Sequence, residues 1–125
     1  MYYNNKAHEI IFKTYIVKCL YKLPPRTLAA IYLLSADRDT WRRAKKCIEK
    51  KEVKFDNISL YDCSVYGYTL IKTALDIYDM NEMHINLFDL SDKYLISNKT
   101  FDLAVQAMRI ARNGYEETDI NKKFN

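Results

Sequence analysis

The sequence contains little glycine and little proline. Two glycines and two prolines in 125 residues argue against a fold built from hairpins and tight turns, which often need positive φ angles. The same scarcity excludes a glycine-rich loop in which the backbone closely approaches a phosphate. About half of the residues (49%) are hydrophobic and 29% are charged, as in ordinary globular proteins. The composition therefore predicts a helical globular chain.

Cysteine is also scarce, and its spacing matches no familiar site. Cys19, Cys47 and Cys63 include no C-x-x-C pair, so they predict neither a disulfide framework nor a zinc site. No apolar run approaches the ~20 residues of a membrane span, and the N-terminus lacks the features of a secretory signal. We expect reduced thiols, no metal, no cofactor, no membrane partner and a cytoplasmic location.

Apolar spacing and capping residues predict about five helices. The first is predicted over residues 5–22; the second follows Pro24-Pro25; the third runs from a cap at Asp37, Asp39 or Thr40 to about Lys50; the fourth follows Ser64; the last follows Ser97 or Asn98 and ends at Asn113-Gly114. Residues 52–60 predict a loop or a short extended piece, and residues 80–92 an irregular connector. We therefore predict an all-α, compact single-domain bundle over residues 1–114, with a polar tail over residues 115–125.

The apolar stripes also predict which side chains are buried. The second helix is apolar almost all round at residues 28–34, so we expect it at the centre. Gly67 lies inside the stripe of the fourth helix, where it costs about 1 kcal/mol relative to alanine; this predicts another backbone packed closely against it. The predicted buried residues are Phe12, Ile16, Cys19, Leu20 and Leu23 around the first helix, and Phe101, Ala104, Val105, Met108 and Ala111 in the last helix.

Positive charge is concentrated in the first half of the chain. Residues 1–51 carry 12 Lys/Arg against 4 Asp/Glu, a net charge of +8, whereas residues 52–102 carry 4 against 9, a net charge of −5. Trp41, Ala44 and Ile48 recur at the spacing of a buried helix face, so we expect the cations around them in the third helix to face solvent. The candidate partner-binding residues are Arg38, Arg42, Arg43, Lys46 and Lys50. A cationic face that only keeps the protein soluble is the alternative.

No catalytic constellation stands out. Asp76, Asp79, Glu82 and His84 form the densest cluster of acids and bases, but its carboxylates lie off the apolar stripe, where a solvated helix end is the favoured interpretation. Cys63 has no sequence signature pairing it with a histidine and is interpreted as a structural thiol. We therefore predict no enzyme and assign no catalytic residue. A metal- or cysteine-dependent enzyme is kept as an alternative hypothesis.

Eleven tyrosines are unusual for this length. Those at positions 61, 66, 68, 78, 94 and 115 cannot all lie on the predicted buried faces, and exposed tyrosine is common at protein interfaces. AT-rich coding would also raise the tyrosine content. The acidic segment 52–102 could in addition dock against the basic half of a neighbouring copy, which would give a homo-oligomer.

Three segments carry a resemblance to other proteins. They are Ala30-Ile31-Tyr32-Leu33-Leu34-Ser35-Ala36-Asp37, Gly67-Tyr68-Thr69-Leu70 and Arg109-Ile110-Ala111-Arg112-Asn113-Gly114-Tyr115. On the basis of these segments, the whole chain resembles short proteins of mobile elements and phages of low-GC Gram-positive bacteria. The resemblance implies a non-enzymatic protein that binds host machinery, as anti-CRISPR inhibitors bind a CRISPR nuclease. The first hypothesis is therefore a protein that acts by protein contact and inhibits a nucleic-acid-handling complex through its basic third helix. The second hypothesis is a DNA-binding regulator whose second and third helices form a helix-turn-helix.

Overall fold

Polar capping residues begin most of the helices in residues 1–115, the part of the chain that the computed structural model describes. The helices are α1 (Lys6–Lys18), α2 (Pro25–Leu34), α3 (Arg38–Lys45), α4 (Val65–Asp79), α5 (Leu87–Ser91) and α6 (Asn98–Asn113). The side chains of Asn5, Asp37, Ser64, Asn86 and Ser97 each accept a backbone N–H from the first turn of the following helix. α2 begins with a proline, whose missing N–H is tolerated in a first turn.

A small hairpin follows α3, which ends well short of the predicted position near residue 50. β1 (Ile48–Glu49) pairs antiparallel with β2 (Glu52–Val53), with Ile48 opposite Val53. A 3₁₀ turn (Phe55–Asn57) comes next. Val53 is buried and Ile48 half-buried, and β-branched side chains of this kind favour a strand. The described residues are therefore mostly helical with a two-stranded sheet, and the prediction of a purely α-helical fold is wrong in this segment.

α2 lies at the centre of the fold, as its all-round apolar character predicts. Eight of its ten residues are buried, and it packs against both α4 and α6. The buried side chains on those two helices include Leu70, Ile71 and Ala74 of α4, and Leu103, Ala107 and Ile110 of α6. Apolar burial of this kind stabilises a fold by about 25 cal/mol per Å². Because only residues 35–37 separate α2 from α3, the central helix also positions α3.

The buried faces of the first and last helices differ from the predicted ones. α1 ends at Lys18, so Leu20 lies beyond it and is 91% exposed. In α6, Phe101 and Met108 are exposed, because the helix turns Ala107 and its neighbours towards the core. The buried residues of α6 are Thr100, Leu103, Ala104, Ala107 and Ile110. Small residues allow close helix approach, so packing rather than side-chain size decides the rotation of α6.

Gly67 marks a close approach between α4 and the start of α3. A Cβ at this position would lie 2.8 Å from Thr40 Oγ1 and 3.2 Å from Ser64 Oγ. Thr40 Oγ1 in turn donates a hydrogen bond to the capping carboxylate of Asp37, at 2.8 Å. The tight packing at Gly67 is as expected, but the prediction that a backbone lies against it is wrong, because the nearest atoms belong to the side chains of Thr40 and Ser64. This contact fixes the first turn of α3 against the first turn of α4.

The residues before α1 are tied to α2 by hydrogen bonds. Tyr32 Oη donates to Tyr2 O at 2.6 Å, and Asn4 Nδ2 donates to Ala36 O at 2.8 Å. His8 is buried between them, and its Nδ1 accepts the Asn4 N–H while its Nε2 donates to Tyr32 O at 2.7 Å. Burial lowers the pKa of His8 to about 4, although the hydrogen bond to Tyr32 O acts in the opposite direction. His8 is therefore a neutral structural histidine.

A lysine is also buried in α1. Lys13 is only 2% exposed, and its Nζ lies 2.6 Å from Glu9 Oε2. Hydrogen bonds, first from Lys13 and then from Lys6, lower the pKa of Glu9 to about 2. Tyr115, the first residue of the predicted tail, packs edge-on against Phe12 with a centroid distance of 5.3 Å. The rest of that tail, residues 116–125, lies outside the described residues.

Candidate binding surface

Two buried side chains orient α3. Trp41 is 9% exposed and packs at 90° against the ring of Tyr15, with a centroid distance of 5.4 Å; Ala44 is fully buried. The prediction that Trp41 and Ala44 face inward is confirmed, whereas Ile48 belongs to β1 rather than to this helix. A helix held on one side by Trp41 and Ala44 must present its other side to solvent.

Four of the five candidate residues are exposed. Arg38, Arg42 and Lys46 lie on the outer side of α3 or at its C-cap, and Lys50 lies in the hairpin turn with a φ of 55°. Within residues 1–115, no carboxylate forms an ion pair with Arg38, Lys46 or Lys50. These three cations are therefore available to a partner.

Arg43 has a different role from the other candidates. Its side chain is 12% exposed, and its Nε donates to Asp39 Oδ2 at 2.8 Å. Its Nη1 donates to two backbone carbonyls, those of Ser59 at 3.0 Å and Tyr61 at 2.7 Å. All three acceptors belong to this chain, so Arg43 connects α3 to the segment before α4 and contributes structure rather than a free charge.

Asp39 reduces the positive charge at the start of α3. Its carboxylate accepts hydrogen bonds from Arg42 and Arg43, and these two contacts, in that order, lower the pKa of Asp39. Lys45 compensates for part of this loss, since it is exposed and lies three residues after Arg42. That spacing places two residues on one side of a helix, so the sequence could have indicated Lys45. We define the basic face as Arg38, Arg42, Lys45, Lys46 and Lys50, together with Lys51, which is exposed and follows Lys50 in the hairpin turn.

Exposed apolar side chains lie beside the basic face. The backbone carbonyl of Tyr61 accepts a hydrogen bond from Arg43, and the Tyr61 side chain is 87% exposed. Val65, at the start of α4, is 83% exposed. Tyr68 is half-exposed, with Lys72 Nζ 5.5 Å from its ring centroid. The expectation that some tyrosines are exposed is confirmed here. Tyrosine beside arginine is a combination enriched at the centres of protein interfaces.

The acidic cluster forms a structural clamp rather than a solvated helix end. Asp76 is only 12% exposed, and its Oδ1 lies 2.6 Å from His84 Nδ1. Its Oδ2 accepts the backbone N–H groups of His84 and Ile85, at 2.8 and 2.7 Å. Glu82 is more distant, 3.8 Å from His84 Nε2, and Asp79 contacts Asn81 instead. Asp76 therefore holds the segment after α4 in place.

The described residues contain no group of three or more His, Cys, Asp or Glu arranged to hold a metal ion. Cys47 is buried, Cys19 and Cys63 are half-buried, and all three are free thiols. Over residues 1–115, none of the helices combines the length and apolar character needed to cross a membrane. Comparison of the chain with known protein families, curated proteins and solved structures gives no match. The functional argument therefore depends on the geometry of the surface.

Proposed function

We propose that this protein is a non-enzymatic binding protein that contacts an acidic protein surface through its basic face. The observation that carries the proposal is the set of exposed cations on one side of α3 and its hairpin, with Trp41 and Ala44 buried on the opposite side. The adjacent Tyr61 and Val65 add exposed apolar area, which supplies binding energy in protein interfaces. The resemblance to mobile-element proteins favours a host nucleic-acid-handling complex, such as a CRISPR nuclease, as the partner.

DNA binding through a helix-turn-helix is the alternative use of the same face. The three-residue connection at 35–37 has the right length for that motif. In such motifs the first turn of the second helix contacts the base edges. Here that turn carries the carboxylate of Asp39, and Thr40 packs against Gly67. Because Asp39 is already paired with Arg42 and Arg43 and Thr40 is buried, this turn offers few free groups to base edges, which favours a protein partner over DNA.

A capture experiment with matched charge reversals tests the proposal. The tagged protein is incubated with nuclease-treated bacterial lysate beside two variants, Lys45→Glu/Lys46→Glu and Lys18→Glu/Lys22→Glu. All four lysines are exposed, and both variants change the net charge by the same amount. We expect the wild type and the Lys18/Lys22 variant to retain the same acidic protein, and the Lys45/Lys46 variant to lose it. Equal retention by all three proteins would refute the role of the basic face.

Duplex DNA titrated at two salt concentrations distinguishes the alternative. Neutralisation of several phosphates makes affinity fall steeply with salt. DNA affinity with that dependence, abolished in the Lys45→Glu/Lys46→Glu variant, would assign the basic face to nucleic acid instead. Absence of binding at low salt would remove the helix-turn-helix hypothesis.

A further inference from the structure

A second exposed surface lies around the C-terminal end of α4. A groove of about 320 Å³ opens between the end of α4, the 80–86 segment, α5 and α6. Its apolar lining includes Met80, Met83, Ile85, Leu87 and Met108; we call it the methionine groove. Met80, Met83 and Leu87 are 65%, 70% and 76% exposed. The groove is therefore an open apolar surface rather than a gap in the core.

Carboxylates form part of the methionine groove. Residues 73–92 contain five Asp/Glu and no Lys/Arg, and Asp76 and Glu82 are part of the groove lining. Lys72 and Lys93, which flank this stretch in the sequence, lie over the rings of neighbouring tyrosines, at 5.5 and 5.4 Å from the ring centroids. One cation, Arg26 of α2, does reach the groove, where its Nη1 donates to the carbonyl of the lining residue Ile77 at 2.6 Å. An occupant that complements this surface is apolar where it enters the groove and positively charged where it passes Glu82, whose side chain is 82% exposed.

Methionine side chains suit a groove that receives a helix. They are unbranched and flexible, so they adapt to different apolar shapes. Amphipathic helices bind in such grooves through apolar residues at positions i, i+3, i+4 and i+7, and their flanking charges meet the rim. We propose that the methionine groove binds a basic amphipathic helix of a partner protein. This interaction is separate from that of the basic face.

Hydrogen bonds hold the walls of the groove in place without a ligand. Asp76 binds the backbone N–H groups of His84 and Ile85. At the start of α5, Asn86 Oδ1 accepts the Asp89 N–H at 2.9 Å, while the Asn86 N–H donates to Asp89 Oδ2 at 3.1 Å. This reciprocal capping fixes α5 where Leu87 begins it. A groove formed in advance needs less ordering on binding, which favours affinity.

Fluorescence polarisation with defined peptides tests the proposal. The probe is a labelled peptide of leucine and lysine whose leucines recur at helical spacing. Its controls are a peptide of the same composition with scrambled order, and one with glutamate in place of lysine. We expect binding of the first peptide only. In the Met83→Ser/Leu87→Ser variant we expect affinity to fall about tenfold, as on truncation of central interface anchors.

The protein controls separate this site from other surfaces. Met83 and Leu87 are largely exposed, so we expect their substitution to preserve folding. The control Val17→Ser removes a similarly exposed apolar side chain from α1. Val17→Ser and Lys45→Glu/Lys46→Glu should bind the peptide as the wild type does, even if the proposed function fails. No binding of the leucine–lysine peptide at low salt, or equal binding of the scrambled or acidic peptide, would overturn the proposal.

A second copy of the chain is the competing occupant. Sedimentation velocity over a concentration series measures self-association directly. A monomeric wild type is the expected result. A wild-type dimer that becomes monomeric on Met83→Ser/Leu87→Ser would assign the groove to a second copy and overturn the proposal.

Discussion

His8 makes the folded state sensitive to pH through a single buried side chain. Its ring can keep both hydrogen bonds only in the neutral form, because Nδ1 accepts from the Asn4 N–H. The folded-state pKa of His8 is lowered to about 4, whereas the ordinary value is about 6.5. Between these values the unfolded chain binds a proton that the folded chain does not. The stability linked to His8 is therefore fully present above about pH 6.5 and falls as the pH decreases towards 4.

This difference predicts a measurable loss of stability in mild acid. We expect the free energy of unfolding to fall by about 1.4 kcal/mol per pH unit in that window, about 3 kcal/mol in total. Urea unfolding at about pH 7 and about pH 5 measures it. Glu9 does not contribute there, because its folded-state pKa of about 2 affects stability only at lower pH. His8→Gln should flatten the slope; a slope unchanged by His8→Gln would contradict the prediction.

The role of His8 could not be predicted from the sequence. The contact that fixes it is a carbonyl 24 residues away, on α2, and no local pattern indicates a pairing at that distance. The same applies to Arg43, whose two carbonyl partners lie 16 and 18 residues further along the chain. By contrast, the inward orientation of Trp41 follows from helical periodicity, and the structure confirms it.

At the scale of elements, Arg43 holds the segment before α4 against α3. Arg42 and Arg43 both pair with Asp39, but only Arg43 also binds the carbonyls of Ser59 and Tyr61. We expect Arg43→Met to lower the free energy of unfolding by about 1–3 kcal/mol, because three charged hydrogen bonds of a mostly buried guanidinium are lost. Arg42→Met, the matched control, removes an exposed pair and should change it by less than about 1 kcal/mol.

Hydrogen exchange locates the effect of Arg43→Met. We expect faster exchange at residues 59–63 in this variant, because the guanidinium no longer restrains the backbone, and no change there in Arg42→Met. Equal destabilisation by the two substitutions would show that Asp39 pairing alone stabilises the segment. In that case Arg43 would return to the set of partner-binding candidates.

Helix starts were easier to predict than helix ends or helix rotation. The caps at Asn5, Asp37, Ser64 and Ser97 are local signals, since each side chain satisfies N–H groups within the next turn. The end of α3 depends on the pairing of β1 with β2, a contact absent from any helical pattern. The rotation of α6 depends on how closely α2 approaches it. The spacing of apolar residues therefore predicted wrongly that the large side chains of Phe101 and Met108 are buried.

At the scale of the whole molecule, the charge asymmetry of the sequence becomes two surfaces that share no residue. The basic face lies on α3 and the hairpin, and the methionine groove lies among α4, α5 and α6. Charge counts along the chain indicated this separation, because each surface is built mainly from one continuous segment. The groove itself was not predicted, since it requires α6 to expose Met108 and Asp76 to fold the 80–86 segment back.

Two surfaces that share no residue should bind their ligands independently. Labelled polyglutamate serves as the probe for the basic face, and the leucine–lysine peptide for the groove, each titrated alone. We expect Lys45→Glu/Lys46→Glu to weaken only polyglutamate binding and Met83→Ser/Leu87→Ser to weaken only peptide binding, with the combined variant showing the sum of both effects. The remaining influence of distant charge is screened over about 8 Å at about 0.15 M salt. A combined variant that departs from additivity by about tenfold would show instead that the two surfaces form one site.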